Sequence, residues 1–132
     1  MTEAQIALAR RAVAAPGWRW MRGMRIANTK FASVVAVRDS GPCGAEEGPT
    51  GDDNAAVWLD DWTTATLLPD LADPATLGCL LALVRRRWGM PELGLVRWDG
   101  VWIFWGCGQG VLRSLMAPTE TEALILALEV AP

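Results

Sequence analysis

The sequence contains no histidine and no tyrosine among its 132 residues. Without imidazole the chain cannot form a Ser-His-Asp or Cys-His catalytic pair, and it offers no histidine ligand to a metal ion. Its three cysteines, Cys43, Cys79 and Cys107, are too few for a four-cysteine zinc site, and their spacing matches no metal-binding motif. We therefore expect a protein that is not an enzyme and that binds neither a cofactor nor a metal.

Long hydrophobic segments are also missing. The longest apolar run of note, residues 77–84, has eight residues and is too short to cross a membrane. The first residues, Met-Thr-Glu-Ala-Gln, lack the basic start and apolar core of a signal peptide. An odd number of cysteines argues against a secreted disulfide framework. The sequence therefore predicts a cytoplasmic protein that has no membrane segment.

The charges are distributed in blocks. Residues 1–38 hold seven basic residues and one acidic residue, whereas residues 39–75 hold nine acidic residues and no basic one. Either the two blocks pair with each other in the fold, or the basic block forms a cationic surface for an anionic ligand. The net charge of −3 is unlike that of most duplex-DNA binders, so we do not expect duplex nucleic acid as a partner.

Capping signals predict three helices. Thr2 and Gln5 form a capping box for a helix over about residues 3–14, and Asp73, Pro74 and Gly89 mark the two ends of a second helix. The third helix begins after Thr119 and is apolar on nearly all sides. It is either deeply buried or half of an interface between subunits, and we expect a homo-oligomer.

Strand patterns lie between these helices. The best hairpin signal is residues 95–105, where Asp99-Gly100 separates two alternating segments. Residues 17–37, 55–60 and 111–116 predict further strands, and residues 40–54 predict a mobile acidic loop rich in glycine and proline. The predicted order is α-β-β-β-α-β-β-β-α. This order is α+β: a single domain, residues 1–132, with three helices and one antiparallel sheet of about five to six strands.

Eight tryptophans are too many for one small core to satisfy every indole N–H. We place a candidate binding site in residues 17–25, where aromatic rings that could stack on a base alternate with guanidinium groups that could hold phosphate. Its candidate residues are Trp18, Arg19, Trp20, Arg22 and Arg25. The alternative is an edge strand whose arginines are solvated or pair with the acidic block.

Two other patterns do not predict a site. The turn Gly106–Gly110 has no lysine and leads into a strand, so it indicates a hairpin and not a phosphate loop. The acidic pairs at 52–53 and 60–61 lack the alternate spacing of a calcium-binding loop, and we interpret them as solvated.

Three stretches of the sequence resemble small proteins encoded by tailed phages and prophages. The most specific is residues 68–89, with its Asp-Pro-Ala-Thr-Leu-Gly-Cys-Leu-Leu-Ala-Leu-Val motif. The others are Gly-Trp-Arg-Trp-Met at 17–21 and Thr-Glu-Thr-Glu-Ala-Leu from 119. The resemblance implies a phage accessory protein that acts in the bacterial host cytoplasm. It supplies no catalytic residues, and it implies proline where this chain has Arg22.

These observations lead to two main hypotheses. In the first, a non-enzymatic accessory protein binds a small anionic, nucleotide-like ligand and sequesters it as a counter-defence. In the second, the protein is an inhibitor or adaptor that docks on a host protein, since exposed Trp and Arg dominate such interfaces. An enzyme is the least favoured class, because neighbouring carboxylates such as Asp60 and Asp61 point to opposite faces of a strand.

Overall fold

The computed structural model describes residues 2–27, 33–36, 57–58, 67–106 and 110–132. These residues contain three helices and six short strands. The helices are α1 (Glu3–Ala14), α2 (Pro74–Trp88) and α3 (Glu120–Glu129). The strands are β1 (Arg25–Ile26), β2 (Ser33–Ala36), β3 (Val57–Trp58), β4 (Gly94–Trp98), β5 (Val101–Gly106) and β6 (Gly110–Ala117). The protein is therefore α+β, as the sequence predicted.

The helix ends follow local chemistry. The Thr2 hydroxyl accepts from the Gln5 backbone N–H, and the Gln5 side chain accepts from the Thr2 N–H, which completes the predicted capping box. At α2 the Asp73 carboxylate accepts from the Thr76 N–H at 2.8 Å. Gly89 ends that helix in the left-handed conformation (φ 63°), which glycine adopts without strain. The sequence thus predicted both ends of α2.

The hairpin of β4 and β5 has the predicted register. Arg97 pairs with Trp102 and Trp98 pairs with Val101 across an antiparallel ladder. Both turn residues have positive φ (Asp99 49°, Gly100 81°), as a two-residue type I′ turn requires. Strand β6 joins β5 on its other side, so β4, β5 and β6 form a three-stranded antiparallel sheet.

The single antiparallel sheet of five to six strands is not what the structure shows. Strands β1, β2 and β3 form a second, small sheet, in which β1 and β2 are antiparallel but β2 and β3 are parallel. The alternating residues before β1 form no strand. The predicted acidic loop, residues 40–54, lies outside the described residues.

Helix α3 lies at the centre of the packing, in contact with α1, α2, β5 and β6. Five of its residues are completely buried: Ala123, Leu124, Ile125, Ala127 and Leu128. They pack with Phe104 and Leu115 of the β4–β6 sheet in one hydrophobic core. The uniformly apolar sequence of α3 thus reflects deep burial, the first of the two alternatives for this helix. Among the described residues, no helix is long and apolar enough to cross a membrane.

Candidate functional site

Residues 17–25, which we call the crossing segment, run antiparallel along α2. Three contacts fix the direction. A methyl group placed on Gly17 would lie 2.5 Å from Arg87 Cδ, the Cys79 thiol lies 3.7 Å from the Arg22 carbonyl oxygen, and the Arg25 N–H donates to Thr76 Oγ1 at 2.9 Å. The segment therefore passes from the C-terminal end of α2 to its N-terminal end.

The crossing segment is not the alternating strand that the sequence predicted for it. Gly17 and Gly23 have φ of 80° and 97°, which are left-handed conformations that interrupt an extended chain. The Met24 N–H donates to the Met21 carbonyl oxygen and closes a turn between them. Because of these bends, the two tryptophans do not share a face with Arg22.

Both tryptophans of the segment turn towards the core. Trp20 is 8% exposed and belongs to the main hydrophobic cluster, and Trp18 is half-buried against it. Their ring centroids are 5.5 Å apart at an interplanar angle of 79°, the edge-to-face geometry that aromatic pairs favour. Trp20 therefore offers no free ring face for stacking on a ligand in this conformation.

The indole N–H groups of Trp18 and Trp20 are buried, and neither has a hydrogen-bond partner among the described residues. Trp88, in contrast, donates its Nε1–H to the Ala127 carbonyl oxygen at 2.9 Å. That carbonyl lies in the last turn of α3, where no further helical N–H is available to it. A buried donor without an acceptor costs about 1–3 kcal/mol, so the unsatisfied pair in the crossing segment requires an explanation.

The three arginines of the segment, Arg19, Arg22 and Arg25, are all exposed. Arg25 lies 3.4 Å from the Asp73 carboxylate, whereas Arg19 and Arg22 form no ion pair with any described residue. Arg87, which lies over Gly17, is also exposed and without an ion pair in the described part of the chain. The structure thus brings the predicted arginines to the surface along α2 and separates them from the predicted rings.

The Arg25–Asp73 pair joins the basic block of the sequence to the acidic block. Within the described residues, it is the one ion pair of the crossing segment that supports the interpretation that the two blocks pair. The acidic pairs at 52–53 and 60–61 lie outside the described residues. Among the residues that are described, no three acidic or cysteine side chains are close enough to hold a metal ion.

Cys79 is held as a neutral thiol. Burial raises its pKa, and the nearby Asp73 carboxylate raises it further, because both disfavour the thiolate. The thiolate is the reactive form of cysteine, so these surroundings make Cys79 a poor nucleophile.

A pocket of about 290 Å³ lies where the first turns of α1 and α3 meet the residues before α2. Several of its polar groups are already engaged: Asp70 accepts from the Ala72 N–H, Thr119 caps α3, and Thr121 donates to the Leu71 carbonyl oxygen. The lining includes the Asp70 carboxylate and no basic residue, so the pocket does not favour an anion.

A second exposed surface lies outside the residues that the sequence pattern predicted as a site. The side of the β4–β6 sheet that faces away from α3 exposes Val96, Trp98, Trp105 and Met116. The available signal was the register of the hairpin, which places Val96 and Trp98 on the same side as Trp105. The four large side chains form an apolar patch outside the predicted site.

No protein-family model, curated protein or solved structure matches this chain. The resemblance to phage proteins, and the function that it implies, therefore stay predictions.

Proposed function

We propose that this protein is a non-enzymatic binding protein for a small anionic, nucleotide-like ligand, and that the crossing segment is its binding site. The observation that carries the proposal is the accumulation of unpaired donors in one short segment. Two indole N–H groups and the guanidinium groups of Arg19 and Arg22 have no acceptor or ion pair among the described residues. An anion supplies acceptors only, so it complements such a segment.

The arginines make the first contact in this proposal. Arg19 and Arg22 are exposed, and Arg87 lies beside Gly17 at the C-terminal end of α2, whereas the Arg22 backbone lies near Cys79. Guanidinium groups bind phosphate through two parallel N–H donors, which gives both charge neutralisation and orientation. Arg25 contributes less, because Asp73 already neutralises part of its charge.

The tryptophans then contribute hydrogen bonds in place of the stacking that the sequence suggested. Their Nε1 atoms are buried, so an anion reaches them only if the crossing segment shifts. The segment contains turns and no regular strand before Arg25, and it therefore lacks a ladder of backbone hydrogen bonds that would resist such a shift. A bound anion that places an oxygen against Trp18 Nε1 would give this buried N–H the acceptor that it lacks among the described residues.

A titration with ATP, pyrophosphate and adenosine tests the proposal. ATP and pyrophosphate carry the charge, whereas adenosine carries only the base. We expect wild-type protein to bind ATP and pyrophosphate more tightly than adenosine, and binding to weaken as the salt concentration rises. Because each charged hydrogen bond contributes about 1.5–3 kcal/mol, the double variant Arg19→Gln/Arg22→Gln should lose affinity by about 100-fold.

The matched control is Arg10→Gln/Arg97→Gln. It removes two exposed arginines that form no ion pair with described residues and lie outside the crossing segment. The control should bind ATP as wild-type protein does. Equal losses of affinity in the two double variants would show that binding depends on the overall charge of the protein and not on the crossing segment. If wild-type protein binds neither ATP nor pyrophosphate, the proposal is wrong.

The alternative function, an inhibitor or adaptor that docks on a host protein, is favoured by a different observation. Trp98 and Trp105 are exposed on the β4–β6 sheet, and tryptophan is enriched at the energetic centre of protein interfaces. A salt-sensitive complex with a host protein, together with no binding of the anionic probes, would support this alternative.

A further inference from the structure

We infer that the anion bound by the crossing segment is a short single-stranded oligonucleotide, whose phosphate groups lie along a row of arginines beside α2. We call this surface the arginine row and define it by Arg19, Arg22, Arg86 and Arg87. The inference rests on the proposed function, because Arg19 and Arg22 belong to the crossing segment. It adds the class and the length of the ligand, and it adds Arg86 to the site.

The contacts between the crossing segment and α2 place these arginines in order. Arg22 lies at Cys79, whose thiol donates to the Arg22 carbonyl oxygen at 3.7 Å. Arg86 follows Cys79 by seven residues and therefore lies on the same side of α2, two turns further on. Arg87 comes next and lies over Gly17. Because an α-helix rises about 1.5 Å per residue, the row extends about 10–12 Å along α2.

This surface carries charge of one sign. Neither the crossing segment nor α2 contains an acidic residue, and together they contain six arginines. Arg25 pairs with Asp73, and Arg85 donates its Nε–H to the Leu93 carbonyl oxygen at 2.7 Å. The other four, which form the arginine row, are exposed and have no ion pair with a described residue. Four unpaired guanidinium groups in a row favour a ligand with a matching series of negative charges.

The length of the row distinguishes a strand from a single nucleotide. ATP holds its charge on three adjacent phosphates at one end of the molecule. The phosphates of a nucleic-acid strand instead advance about 3.4 Å per nucleotide when the bases are stacked, so four successive phosphates span about 10 Å. This span is close to the length of the arginine row, and four phosphodiester groups carry as many charges as the row has arginines.

The rest of the protein favours a single strand over a duplex. The net charge of the chain is −3 although the row itself is positive, so the remaining surface is negative overall and repels a second line of phosphates. Trp20 is buried and offers no ring face to a base, so binding does not depend on stacking against it. We therefore expect contacts with phosphate groups and little dependence on the base sequence.

Fluorescence anisotropy with a labelled thymidine pentamer tests the inference, with ATP as a competitor of equal charge. The pentamer carries four phosphodiester charges, and ATP without Mg²⁺ carries about four charges on adjacent phosphates. We expect the pentamer to bind on the order of 10-fold more tightly, since only the strand contacts the whole arginine row. Its log association constant should fall with log salt concentration at a slope of about −3, because each single-strand phosphate contact contributes about −0.7.

Arg86→Gln should make that slope less steep by about 0.7 and should weaken pentamer binding by about threefold. Because Arg86 is exposed, this variant should unfold in urea at the wild-type midpoint. Arg97→Gln is the matched control. It removes an exposed arginine of β4 that has no ion pair with a described residue, and it should leave both the slope and the affinity unchanged.

The outcomes separate this inference from the proposed function. If ATP and pyrophosphate bind but the pentamer binds no more tightly than ATP, the inference is wrong and the proposed function stands. If none of the three binds, both are wrong. The inference is also wrong if Arg86→Gln leaves the salt slope unchanged, or if Arg97→Gln changes it as much as Arg86→Gln does.

Discussion

Two pairs of tryptophans occupy opposite environments in this protein. Trp18 and Trp20 turn inward from the crossing segment and meet edge to face, whereas Trp98 and Trp105 point outward from the β4–β6 sheet. Both pairs come from segments in which apolar and other residues alternate. Alternation of apolar and other residues in a sequence predicts which side chains share one side of the chain. Whether that side is buried depends on the elements that pack against it.

The two pairs also differ in what they leave unsatisfied. The inward pair has buried its rings at the cost of two indole N–H groups without acceptors in the described residues. The outward pair keeps its N–H groups near water but leaves apolar area exposed. A missing acceptor and a missing apolar cover are different chemical deficits. The first favours an anion and the second favours a protein surface.

The largest expected effect is a difference in the free energy of unfolding between a variant of the inward pair and a variant of the outward pair. Trp20→Ala removes a ring that is 8% exposed in the core and should lower the free energy of unfolding by about 3–5 kcal/mol. Trp98→Ala removes a ring that is 70% exposed and should change it by less than about 0.5 kcal/mol. Urea unfolding of the two variants at the same protein concentration measures both changes. Similar losses in the two variants would show that the sheet face is covered in the monomer.

Local signals predicted much of the fold. The Thr2 capping box, the Asp73 and Gly89 ends of α2 and the Asp99-Gly100 turn all act within a few residues, and all formed where the sequence placed them. The order of helices and strands followed from these signals. The division of the strands into two sheets did not, because it depends on contacts between residues far apart in the chain.

The candidate site was harder to predict for the same reason. The arginines of the crossing segment are exposed as expected, since charge itself opposes burial. The predicted direction of the two tryptophan rings was wrong. Trp18-Arg19-Trp20 has the two-residue period of a strand, whereas the chain bends at Gly17 and Gly23. The partner of Arg25 is Asp73, which only the packing of the segment on α2 brings near.

A smaller effect is expected when an indole N–H that has a hydrogen-bond acceptor is compared with one that has none in the described residues. Trp18 and Trp88 are both half-buried, but Trp88 donates to the Ala127 carbonyl oxygen and Trp18 has no acceptor in the described residues. Phenylalanine removes the N–H from either position and keeps an aromatic ring. Trp88→Phe should therefore destabilise the protein by about 1–2 kcal/mol more than Trp18→Phe does, because it leaves a helix-terminal carbonyl unpaired.

Thermal and urea unfolding of the two phenylalanine variants measure this difference. Trp88→Leu, which lacks the N–H as well as the ring, serves as a control for the loss of aromatic packing. An equal cost for Trp18→Phe and Trp88→Phe would mean that the Trp18 N–H has an acceptor in solution. Such a result would remove the unsatisfied donor on which the proposed anion site depends.

The smallest expected effect concerns the two glycines that turn the tryptophans inward. Gly17→Ala and Gly23→Ala both force a side chain into the left-handed region and should each cost about 1 kcal/mol. Only the alanine at position 17 meets a neighbour, because its Cβ would lie 2.5 Å from Arg87 Cδ, whereas the space at Gly23 is open. Gly17→Ala should thus cost a further few tenths of a kcal/mol, a small amount since the arginine side chain can move.

A double-mutant cycle with Arg87→Ala isolates this extra cost from the backbone strain. Arg87→Ala should relieve Gly17→Ala but leave Gly23→Ala unchanged, as measured by urea unfolding. The methyl group of Gly17→Ala would push the Arg87 side chain away from the crossing segment. Gly17→Ala should therefore also weaken ATP binding, whereas Gly23→Ala should not. If the cycle shows no coupling between positions 17 and 87, Arg87 does not lie over the segment in solution. Arg87 would then no longer belong to the proposed site.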